Sequence, residues 1–116
     1  MKNQAGTETL TRFLEQIKTL ITAGNYDFIP RRKNMQALAR RGLTIQDAKE
    51  EMLTLSAADY YKGPKQDLDR ARPGEVWEFK KDIDGMQFYV KVKVVQENGK
   101  HILKCLGFHE DDYASE

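Results

Sequence analysis

Between Glu75 and Val95 the chain reads EVWEFKKDIDGMQFYVKVKVV, an alternating pattern interrupted once by Asp84-Gly85. An Asp-Gly pair takes positive φ readily at both centres of a two-residue turn, and a period of two is what a strand with one buried face requires. Counting outward from the turn sets Ile83 opposite Met86, Lys81 opposite Phe88, Lys80 opposite Tyr89, Phe79 opposite Val90, Glu78 opposite Lys91, Trp77 opposite Val92 and Val76 opposite Lys93. Trp77, Phe79, Phe88, Val90, Val92 and Val94 then share an apolar face, while Glu78, Lys80, Tyr89, Lys91 and Lys93 share the other. A carboxylate, a phenol and several ammonium groups on one open face suit an anionic polymer, so function is expected on this hairpin.

Upstream, the pattern turns helical. Leu10, Phe13, Leu14, Ile17, Leu20 and Ile21 recur at three and four, which predicts a helix capped by Thr7, running to about Ala23 and stopped by Gly24. Pro30 favours extended backbone before it, and Tyr26 to Ile29 reads as a short edge strand. A second helix is expected over roughly Arg32 to Arg41, with Met35, Leu38 and Ala39 inward and Gly42 ending it. Thr44 and Asp47 have nearly the spacing and chemistry of a capping box, opening a third helix to about Leu53 with Ile45, Ala48, Met52 and Leu53 as its apolar positions. Ser56 caps a short turn, SAADYY, and Tyr60 and Tyr61 read as partial core. Residues 62–74, KGPKQDLDRARPG, carry two prolines, two glycines and many charges, and are expected to form a long loop.

After the hairpin, Asn98-Gly99 marks a second turn. A two-residue turn there would put Ile102, Leu106 and Phe108 on the polar face, so a three-residue loop from Glu97 to Gly99 is the expectation. It pairs Val94 with Ile102, Val90 with Leu106 and Phe88 with Phe108, brings His109 opposite Gln87 beside Tyr89, and leaves Lys104 to snorkel from the apolar side. Helices first and a meander afterwards predict one α+β domain over residues 1–116. Its N-terminal helices pack on one face of a small antiparallel sheet as a two-layer sandwich.

Composition limits the partners. Net charge is +1, which excludes coating of nucleic acid by bulk charge, and basic residues instead cluster at 31–33, at 40–41 and along the hairpin. Acids gather in the tail, at Glu110, Asp111, Asp112 and Glu116. Cys105 is the single cysteine, so it can form no internal disulfide, and with two distant histidines it builds no zinc site. It is expected to be a small strand hydrophobe. The first ten residues lack a signal peptide's apolar run and nothing reads as a membrane span, which points to a cytoplasmic protein.

The polar face holds what metal-independent RNA cleavage asks for: a base for the 2′-hydroxyl, cations for the phosphate and an acid for the leaving oxygen. His109 and Glu78 are the acid–base candidates, Lys80, Lys91 and Lys93 the phosphate contacts, and Tyr89 a group that stacks a base or bonds a phosphate. The same residues also suit a solvated histidine, a cross-strand ion pair between Glu78 and Lys91, and lysines that discourage edge pairing.

The chain resembles the MqsR family of bacterial toxins, of the RelE-like ribonuclease fold. TRFLEQIKTLITAG resembles its first helix, LSAADYYKG its central segment, VWEF the strand after its loop, FYVKVKV its tyrosine-bearing strand and GFHE its last strand. LSAADYYK is the most specific of these. The resemblance implies the toxin of a type II toxin–antitoxin pair, a cofactor-free endoribonuclease acting on single-stranded mRNA and held by a cognate helix-turn-helix antitoxin. It places site residues on Lys62, Glu78, Tyr89 and His109, with glutamine usual in the family at the position of Glu78 and lysine at that of His109. A non-catalytic RNA-binding or protein-interaction module of the same fold, and an enzyme acting only on ribosome-bound message, are alternatives.

Overall fold

A computed structural model describes residues 5–111; the acidic tail from Asp112 onward lies outside the described residues. In chain order these form α1 (Thr7–Thr22), β1 (Tyr26–Phe28), α2 (Arg32–Arg41), α3 (Ile45–Leu53), a 3₁₀ turn (Ala57–Asp59), β2 (Tyr60–Gln66), β3 (Glu75–Ile83), β4 (Met86–Glu97) and β5 (Lys100–Glu110). The sheet runs β1-β5-β4-β3-β2. It is mixed and not wholly antiparallel as expected, because β1 lies parallel to β5. The α+β class holds.

The amphipathic first helix behaves as its spacing requires. Leu10, Phe13, Leu14, Ile17, Leu20 and Ile21 are buried, each contributing about 2 kcal/mol of apolar transfer. Phe13 stacks on Trp77 with ring centroids 4.1 Å apart and planes 9° from parallel, which joins α1 to the hairpin's apolar face. The cap position falls on Gly6 and not on Thr7. In α3 the capping box is complete, with Thr44 Oγ1 accepting from Asp47 N–H at 3.0 Å and Asp47 accepting from Thr44 N–H at 2.8 Å. Cys105 lies in the core, where burial pushes its thiol up to about 12.

The β3–β4 hairpin matches the counted register from Ile83–Met86 to Val76–Lys93. Asp84 and Gly85 both take positive φ, 51° and 83°, as the turn demands. The β4–β5 hairpin differs. Its turn is the two-residue Asn98-Gly99, with Gln96 opposite His101, Val94 opposite Leu103 and Val92 opposite Cys105. Leu103 and Cys105 therefore fill the core, and Lys104 stands on the polar face, paired with Asp27 and Glu97. Between Val92 and Lys91 the register slips so that Lys91 faces Gly107, and Leu106 becomes a bulge. That extra residue returns Phe108 to the core opposite Val90 and sets His109 opposite Tyr89 in place of Gln87.

Two further expectations are corrected. Residues 62–66 are not loop but part of the edge strand β2, where Pro64 is tolerated because an edge strand leaves one side unpaired. In α2 the inward residues are Asn34, Ala37 and Leu38, whereas Met35 is 39% exposed and Ala39 is exposed. Asn34 is inward because it bonds backbone: its amide donates to Ile29 O at 3.1 Å and Leu106 O at 3.0 Å, and its oxygen accepts from Phe108 N–H at 2.9 Å.

Candidate active site

On the face away from α1, a cleft of about 420 Å³ is lined by Lys62, Lys65, Glu78, Tyr89, Lys91 and His109, with Lys33, Tyr61, Lys80 and Asp111 completing it. Alternation alone brings Glu78, Lys80, Tyr89 and Lys91 to this face. His109 joins them through the Leu106 bulge, and its ring lies 5.3 Å from that of Tyr89. Lys62 arrives on β2, directly opposite Glu78. Lys93 is on the same face but not in the cleft. It is 3% exposed beneath the 67–74 loop, its ammonium 2.6 Å from Asp67 and donating to the carbonyl of Arg72.

Residues missed in the sequence complete the electrostatics. Glu78, 5% exposed, pairs at 2.5 Å with Lys65 and not with Lys91, its cross-strand neighbour. Beside it Tyr89 is half-buried; burial first, and then the negative charge of Glu78, keep the phenol protonated well above its ordinary range. Tyr61, read as partial core, is 36% exposed at the rim, with Lys80 Nζ 4.0 Å and Lys62 Nζ 4.9 Å from its ring centroid. Lys80 pairs with Asp111 at 3.0 Å, and this hydrogen bond raises the lysine's pKa. A strand reading of KGPKQ would have revealed Lys65; nothing local marks Asp111.

The His109 ring is held in one tautomer. Its Nδ1 lies 2.9 Å from the carbonyl oxygen of Glu110, and because a carbonyl only accepts, Nδ1 carries the proton and the neutral ring leaves Nε2 as an acceptor. Nε2 points toward Gly107, 3.8 Å from where a β-carbon on that glycine would lie. The site thus offers a proton acceptor, a protonated phenol and several ammonium groups on one surface. Among the described residues no three of His, Cys, Asp and Glu come together to hold a metal ion, and no helix is long and apolar enough to cross a membrane. Compared with known proteins, the sequence matches no protein-family profile and no curated protein.

Proposed function

We propose that this protein is an endoribonuclease that cuts single-stranded mRNA without a metal ion, and that it is the toxin of a type II toxin–antitoxin pair with a RelE-like, MqsR-type fold. The observation that carries the reading is the pairing of His109 with Tyr89 across β4 and β5, in a cleft ringed by Lys62, Lys65, Lys80 and Lys91. The α+β layering is compatible with that fold. The toxin role, the helix-turn-helix antitoxin and the cytoplasmic setting rest on the sequence resemblance.

In this mechanism the lysines draw in the phosphate and offset its charge as it becomes pentavalent. His109 Nε2 takes the proton from the 2′-hydroxyl, whose oxygen attacks the adjacent phosphorus. The bond from phosphorus to the 5′-oxygen breaks, that oxygen takes a proton from water, the resulting hydroxide is neutralised by the proton His109 holds, and a 2′,3′-cyclic phosphate remains. Tyr89, held protonated, donates to a phosphate oxygen. Glu78 is already engaged by Lys65, which makes it the group that positions that lysine and leaves His109 the proton carrier. Exposed Tyr61 offers a face on which a base stacks.

The test is incubation of purified protein with single-stranded RNA in excess chelator. His109→Ala is expected to slow cleavage by about 100-fold or more, and Tyr89→Phe by about tenfold to 100-fold. RNA left intact at every pH tried, by protein that binds it, would replace the nuclease with the binding module. Cleavage confined to a translating extract would mark a ribosome-dependent enzyme.

A further inference from the structure

We propose that the groove adjoining the cleft carries the RNA strand onward from the scissile linkage, with Arg31 and Arg72 as its phosphate contacts. This inference rests on the nuclease reading above and assigns the path of its substrate. The groove, about 670 Å³, includes Ile29, Arg31, Arg72, Pro73, Val95 and Leu106 in its lining.

Three elements show that cleft and groove lie end to end. Along β4, Tyr89 and Lys91 line the cleft, and the next residues on the same face, Lys93 and Val95, line the groove. Along β5 the order is His109 in the cleft, then Gly107, then Leu106 in the groove. At the start of α2, Lys33 lines the cleft and Arg31 the groove. Gly107 stands opposite Lys91 at the junction and itself raises no side chain there; a β-carbon on it would come within 3.2 Å of Lys91 Cβ and 3.5 Å of Tyr89 Cε2. A glycine inside a strand accompanies a bulge, as here beside Leu106, and also leaves room for a ligand or another backbone to approach closely.

The groove's chemistry favours a nucleic-acid strand. Its floor of Ile29, Val95, Leu106 and Pro73 is apolar, suited to base and sugar faces. Two of its cations are already neutralised: Lys93 by Asp67, and Lys104 by Asp27 and Glu97. The guanidinium groups of Arg31, just before α2, and Arg72, on the 67–74 loop, are left to meet phosphates. Both residues are exposed, and the carboxylate paired with Arg72, that of Asp69, is 4.0 Å away. Arginine is the side chain best matched to phosphate geometry.

The experiment compares binding of 2′-O-methyl RNA, which has no nucleophile, as a trinucleotide and as a twelve-nucleotide strand of mixed sequence. Wild-type protein is expected to bind the longer strand about tenfold or more tightly than the trinucleotide, and Arg31→Gln with Arg72→Gln is expected to remove most of that advantage. Lys18→Gln with Lys49→Gln, which takes the same charge from α1 and α3, is expected to preserve it. An advantage that survives the arginine changes, or falls equally in the lysine control, overturns the proposal, the first outcome assigning the groove to another occupant such as a protein partner. Trinucleotide binding with no gain from length sinks the groove alone. Binding of neither strand sinks the nuclease reading together with it.

Discussion

The side-chain oxygen of Asn34 accepts the backbone N–H of Phe108 at 2.9 Å, tying α2 to the strand that delivers His109. The same side chain satisfies Leu106 O and Ile29 O, so it stands where β1 has ended and no strand pairs with that edge of β5. Asn34→Leu leaves those backbone groups buried without partners, at about 1–3 kcal/mol each for any that water cannot reach. The expected result is a fall in the denaturation midpoint with an unchanged m-value. RNA cleavage should also fall at a temperature where the variant is still folded, because the bulge no longer fixes the His109 ring. Full activity in folded Asn34→Leu protein would show that the bulge needs no such support.

The bulge also explains how much of this fold was legible beforehand. Asp84-Gly85 is a local signal, and the register it implies holds pair for pair. The second hairpin takes its register from two places: a two-residue turn at Asn98-Gly99 and a one-residue slip at Leu106, held by a side chain 72 residues away. No local pattern carries that information. His109 nevertheless falls on the expected face, because its strand is displaced by two residues from the anticipated pairing and a period of two restores direction. Asn34 was overlooked because a polar residue in a helix is ordinarily assigned to solvent, and β2 because Gly63, Pro64 and the charges around them resemble a loop. Lys65 lies within that same loop-like stretch.

Lys93 and Asp67 form a nearly dry ion pair, with side-chain exposures of 4% and 18%. Asp67→Asn leaves the buried ammonium with only neutral acceptors, the Arg72 carbonyl among them, and is expected to cost about 3 kcal/mol, whereas Lys93→Met combined with Asp67→Asn should be close to neutral. A double-mutant cycle by chemical denaturation measures the coupling. The hydrogen bond from Lys93 holds the Asp67 carboxyl below its ordinary range, so at this group the unfolded chain takes up a proton at a higher pH than the folded one. Its stabilisation is therefore complete above the ordinary carboxylate range and disappears as pH falls through the lower folded value. Wild type should lose stability over that acid window more steeply than the double variant.

Gly63 permits the course of β2 that brings Lys62 and Lys65 to the site. Its φ is +119°, and a β-carbon there would lie 2.8 Å from Val76 O and 2.9 Å from Trp77 Cα. Both neighbours are backbone atoms of the central sheet, which cannot move aside cheaply. Gly63→Ala is expected to destabilise the protein by about 2 kcal/mol or more, and to weaken RNA affinity as Lys62 and Lys65 shift. Thermal unfolding alongside RNA titration checks both effects; a variant of unchanged melting temperature would contradict the crowding.

Asp111 occupies the cation that a phosphate would use. Its carboxylate sits 3.0 Å from Lys80 Nζ, is 8% exposed and is held by its own backbone N–H donating to Gln87 O at 2.9 Å. A polyanion entering the cleft meets a fixed negative charge there and must share Lys80 with it. Asp111→Asn keeps the shape and removes the charge, relieving repulsion of about 1 kcal/mol. The expected consequence is RNA binding tightened by about threefold to tenfold, with a larger gain at low ionic strength where screening is weaker. Lys80→Gln should act in the opposite direction, and in that background Asp111→Asn should gain less. If Asp111→Asn instead weakens binding at every salt concentration, the carboxylate serves to position Lys80 for the substrate and does not compete with it.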